Sequence, residues 1–115
     1  MKVAILTRQE TLERCTGKGC LRACLTNTDA FARYEDEVEL VAFTHAGGDL
    51  EHKIDMMKKN GVEAVHLSSC MRSKADDYEA LAERLANDFD VVGYTHGDEE
   101  GKTRKSVILK HKKTE

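Results

Sequence analysis

The chain contains no proline, so its turns have to be made by glycine, asparagine and aspartate. Long apolar runs are missing too. None approaches the roughly 20 residues needed to cross a bilayer, which excludes a membrane-spanning helix. The apolar stretch in MKVAILTRQE is shorter than the roughly 7–15 residues of a signal peptide's hydrophobic region, so cytoplasm is the expected compartment. Positive charge is not in excess: the formal net charge is −3, and no electrostatic pull toward nucleic acid is expected. No internal repeat, low-complexity tract or C-x-x-C pair occurs anywhere.

What is present suits an ordinary globular domain. A length of 115 residues is enough for one hydrophobic core, with 40% hydrophobic and 34% charged residues. Four cysteines in a cytosolic chain read as reduced thiols, metal ligands or catalytic groups before structural disulfides.

Apolar runs alternate with amphipathic stretches. Strands are predicted at KVAILT (residues 2–7), residues 38–43, residues 62–67 and residues 90–96. Between them, residues 20–34 place Leu21, Cys24, Leu25, Thr28 and Phe31 at helical spacing. Asp49 stands as the N-cap of LEHKIDMMKKN, which Asn60-Gly61 closes, and residues 76–87 form a further helix. This alternation predicts a three-layer α/β domain: a mainly parallel, flavodoxin-like sheet of four to five strands, helices on both faces and strand one interior. The domain covers residues 1–97. Residues 98–115 form a charged extension whose SVIL core is either an edge strand or an appended arm.

In a parallel sheet the carboxyl ends of the strands share one rim, where ligands bind. Arg8 and Cys15 follow strand one, His45 to Asp49 follow strand two, Ser68 to Cys70 follow strand three, and His96 ends strand four. These residues are expected to meet. Cys24 is assigned to the core beside Leu21 and Leu25, and His66 to packing within its strand; His52 and His111 lie in charged surroundings and read as solvated. Cys20, at a helix N-terminus with Lys18 nearby, is expected to have a lowered pKa.

Several stretches in this order carry a family resemblance: TRQETLERC after the first strand, GKGCLRA, VELVAF before a Gly-Gly pair, VEAVHLSSC and GYTH. The chain resembles the CGGC-domain proteins over residues 1–96, a family generally regarded as metal-binding, with zinc the usual suggestion. At the motif that names the family this chain reads Ala46-Gly47-Gly48-Asp49. The resemblance implies Cys15, Cys20, Cys70 and His96 as metal ligands, with Gly47 and Gly48 as a turn beside the bound group. His45 adds an imidazole next to the altered motif, and Asp49 is a second substitute donor. Zinc is favoured over an iron–sulfur cluster because both motif thiols are gone.

Two other readings compete. One is a thiol redox protein with Cys20 as nucleophile and Cys15 or Cys70 resolving it. The other is a non-catalytic domain that binds a ligand or partner and has lost its metal. CTGKGCLR resembles the phosphate-binding loop of small α/β phosphatases, but Cys15 and Arg22 stand one residue too far apart for it. Reaction, partner and oligomeric state stay open at this level.

Overall fold

The computed structural model describes residues 1–112. Its centre is a five-stranded sheet in the order β2-β1-β3-β4-β5. The strands are β1 (Lys2–Thr7), β2 (Glu39–His45), β3 (Ala64–Leu67), β4 (Asp90–Val92) and β5 (Ile108–Leu109). β1 pairs in parallel with β2 and β3, and β3 in parallel with β4; β5 runs antiparallel along the outer edge of β4. This is the three-layer, flavodoxin-like arrangement, with β1 interior.

Strand alternation divides the core in two. Ala4 and Leu6 of β1 and Val65 and Leu67 of β3 face one side, against α3 (Leu50–Lys59), α4 (Ser69–Lys74) and α5 (Tyr78–Leu85). Val3, Ile5 and Ala64 face the other, against α2 (Lys18–Leu25) and a 3-10 helix at Asp29–Arg33. The short α1 (Gln9–Leu12) follows β1 directly. Val3 to Leu6 are fully buried, as expected of a strand covered on both faces.

β2 forms the other edge, and its pairing with β1 shifts register between Val3 and Ala4, which face Leu40 and Ala42. Val41 is therefore an extra residue, a β-bulge. Val41 and Ala42 pack toward the α3 side, whereas Leu40 and Phe43 pack toward the α2 side.

Three expectations need correction. The helix expected over residues 20–34 ends at Leu25. Thr26 Oγ1 bonds the Arg22 carbonyl at 2.6 Å and the Thr28 hydroxyl at 2.9 Å, and Asn27 and Asp29 both take φ of 53°. Short polar side chains here compete with the helix for its backbone groups, and Leu25 is left 72% exposed. The fourth strand stops at Val92 rather than running to His96: its pairing with β3 ends at His66 and Val92, and the Gly93 N–H, bonded to the Val107 carbonyl at 2.8 Å, continues the contact toward β5 alone. Helices α1 and α4 were not expected. Ser68 caps α4 by accepting from the Met71 N–H at 3.3 Å, a cap hidden inside a sequence that reads as strand end.

The segment after residue 97 is tied to the fold by Arg72 on α4, which is only 6% exposed. Its Nη1 donates to the Asp98 carbonyl (2.7 Å), the Ser106 hydroxyl (2.6 Å) and, more weakly, the Glu99 carbonyl (3.4 Å). Its guanidinium lies 5.4 Å from the centre of the Tyr94 ring. SVIL contributes its last two residues to the sheet as β5; residues 113–115 of the extension lie outside the described residues. Among the described residues, no helix is long and apolar enough to cross a membrane.

Candidate functional site

The carboxyl rim carries a small cavity of about 70 Å³. Cys15, Cys20, Cys70 and His96 all line it, each delivered by a different segment. Cys15 lies in the loop after α1 and is exposed; its sulfur accepts from the Gly17 N–H at 3.3 Å. Cys20 is in the first turn of α2, 7% exposed, with its sulfur 3.1 Å from Thr95 Oγ1. Cys70 opens α4 and is half-buried, with its sulfur 2.8 Å from Ser68 Oγ.

His96 is held through its backbone. Ser69 Oγ donates to the His96 carbonyl at 2.6 Å and accepts from the His96 N–H at 3.2 Å. The end of β3 is thus laced to the loop after β4, and the imidazole lies over Gly19. A Cβ there would stand 3.0 Å from ring atoms Cδ2 and Nε2. Gly17, before it, takes φ of +80°, and a Cβ on it would meet Phe43 Cζ at 2.6 Å. The loop between the two cysteines needs glycine for both reasons.

Burial pushes the Cys20 thiol upward, Thr95 pulls it down, and the nearby Cys70 and Cys15 thiols add to the rise. The expected lowering does not occur, because desolvation of a thiolate outweighs the hydrogen bond and the helix end. This weighs against Cys20 as an attacking thiolate. Cys24 is 2% exposed among core residues, and its thiol is likewise pushed up by burial.

The other candidates stand elsewhere. Gly47 lines a neighbouring open cleft of about 360 Å³ with Arg8, Ala46 and Lys74, where a Cβ on it would collide with the Gln9 side-chain amide. Gly48, with φ of +69°, and His45 line neither space. His45 Nδ1 accepts from the Gly47 N–H at 3.0 Å, which fixes the turn. Asp49 caps α3, accepting from the His52 N–H at 3.1 Å. Gly47 and Gly48 are therefore parts of a turn beside the neighbouring cleft, not of the cysteine cavity.

A family model, the CGGC domain, matches residues 2–96. The chain belongs to the CGGC-domain family. Neither a curated protein nor a solved structure matches it significantly. In this CGGC domain the AGGD turn offers no thiol: Ala46 packs partly buried against the core, and Asp49 is occupied as a cap.

Does the CGGC cavity suit a metal? Three thiols and an imidazole are a soft donor set of the kind zinc takes. Thr11, one of the residues lining the cavity, has a buried hydroxyl with no hydrogen-bond partner among the described residues. Yet among the described residues no three His, Cys, Asp or Glu side chains are gathered closely enough to hold an ion. Each sulfur rests instead on a local partner, and a rotation about χ1 moves it without moving the backbone. The chemistry fits; the side chains have to leave those partners to close. Sequence reasoning did not find Thr11, Thr95 or Gly19, and it placed Ser69 on the rim without its bond to His96. Their signal is positional, and only the fold brings them to the cysteines.

Proposed function

We propose that this CGGC domain binds a soft metal ion, zinc in the first instance, through Cys15, Cys20 and Cys70 with His96 as the fourth ligand. The observation that carries this reading is the shared cavity: four donors from four segments, remote in sequence, line one space of about 70 Å³. Zinc there would supply Lewis acidity or a structural cross-link, and the protein's part is to hold the ligands and exclude water. The reading places the protein in the cytoplasm, where its thiols stay reduced. It assigns no role to His45, Gly47 or Gly48 beyond the adjoining turn.

The test is zinc titration of reduced, metal-free protein. One equivalent is expected to bind, more weakly as pH falls, because thiols must lose protons to ligate. Cys70→Ser is expected to lose at least about a hundredfold in affinity, beyond the effect of outer-sphere partners, and Cys24→Ser to keep it. Gly19→Ala separates ligand placement from folding. Its helix gains up to about 1 kcal/mol in propensity, so stability holds, while the displaced His96 ring lowers zinc affinity about tenfold. Loss of zinc in Cys24→Ser with retention in Cys70→Ser would reverse the assignment of core and site. Absence of zinc binding in reduced protein would favour a domain that binds a ligand or partner without metal.

A further inference from the structure

The same cavity has a property that zinc does not exploit. Three thiols line it, yet among the described residues no lysine, arginine, aspartate or glutamate does. Three thiolates around a divalent ion leave one net negative charge, and burying an uncompensated charge is costly. A trivalent centre bound to three thiolates is neutral.

We infer that Cys15, Cys20 and Cys70 form a binding site for a trivalent arsenic or antimony oxyacid, held by three sulfur bonds. The inference rests on the proposed convergence of these thiols but not on zinc. The chemistry balances without redox change: As(OH)3 and three protein thiols give As(SR)3 and three water molecules. Three As–O and three S–H bonds break, and three As–S and three O–H bonds form. Each thiol proton leaves in water, so no base is needed. A cavity of about 70 Å³ has room for several water-sized groups, as a small neutral oxyacid requires.

The present geometry is also compatible with this route. No three donors are pre-gathered, but condensation proceeds one thiol at a time. Exposure sets the order: Cys15 is open to solvent, Cys70 half-buried and Cys20 buried. The reagent is captured at the mouth by Cys15 and passed inward, losing one hydroxyl at each step.

Arsenite added to reduced, metal-free full-length protein tests this, with zinc titrated in parallel. Mass spectrometry is expected to show one arsenic added and three hydrogens lost. Peptide mapping of that wild-type adduct is expected to find Cys15, Cys20 and Cys70 blocked and Cys24 free, a result that needs no variant to fold. Serine at any one of the three is expected to weaken binding roughly hundredfold or more, the advantage of an intramolecular third bond. Cys24→Ser is expected to bind as wild type. Zinc binding without arsenite binding overturns this inference alone and leaves the zinc reading standing. Arsenite binding without zinc supports it and removes zinc. An adduct that includes Cys24, or no binding of either probe, overturns it together with the convergence on which it rests.

Discussion

Arg72→Ala is expected to cost about 3 kcal/mol of unfolding free energy in urea titration, the largest loss for any single side chain outside the apolar core. The guanidinium is buried, has no carboxylate partner among the described residues, and is satisfied by two carbonyls and the Ser106 hydroxyl. Hydrogen bonds from a charged donor are worth about 1.5–3 kcal/mol each when the acceptor is then stranded, and loop carbonyls recover part of that from water. Packing against Tyr94 adds to the loss. Arg72→Lys keeps the charge but not the planar fork and is expected to recover less than half. A loss below about 0.5 kcal/mol, the range of ordinary surface changes, would mean that the 98–106 segment is not held by this residue.

Acid is expected to destabilise the protein through His66. The ring is fully buried, stacked on Phe31 at 4.0 Å, and bonded at both nitrogens. Nδ1 lies 3.1 Å from the Tyr94 carbonyl, which can only accept, so Nδ1 carries the proton and Nε2 accepts from the Tyr34 hydroxyl at 2.7 Å. Burial lowers its pKa from 6.5 to about 4, the Tyr94 bond opposing and Arg33 assisting. Above pH 6.5 the ring is neutral in folded and unfolded chains, and its contribution is constant. As pH falls from 6.5 toward 4 the unfolded chain takes up a proton that the folded chain refuses, and stability declines. The full drop corresponds to about 3 kcal/mol, complete once pH passes below the folded value of about 4. Unfolding free energies across this window in wild type and His66→Phe measure it. The variant is expected to lose this slope; an unchanged slope would assign the acid sensitivity to other groups.

The sequence spoke most clearly where periodicity was strong. Val3 to Leu6 read as a buried strand and are one, and Asp49 with Asn60-Gly61 bounded α3 correctly, because cap chemistry is local. Cys24 and His66 fell to the core for the same reason: their neighbours at helical or strand spacing are apolar. The failures are of two kinds, short side-chain bonds that compete with helix propensity and contacts between distant segments. Whether Thr26 to Asp29 continue a helix depends on side-chain bonds that propensity alone does not resolve. The Cys20 thiol was misjudged because helix position is visible in sequence, whereas desolvation by neighbouring segments is not. Gly47 and Gly48 were placed with the cysteines because their strand end shares the rim, but a rim is wide enough for two separate spaces. The lacing of Ser69 to His96 joins positions 27 residues apart and has no sequence signature.

The bulge at Val41 sets a limit on how this strand can change in length. One extra residue reverses the parity of everything after it, so that Phe43 leans to the α2 side and presses on Gly17, at the head of the helix that carries Cys20. Deleting Val41 would restore regular pairing and leave Ala42 opposite Ala4 and Phe43 opposite Ile5, so the ring would keep its place beside Gly17. Inserting a residue between Ala42 and Phe43 would send it to the opposite face, away from the cysteine loop. An insertion in β2 beyond the bulge is therefore not a local event at a tolerant edge. It is transmitted to the thiols through the side on which a single aromatic ring falls.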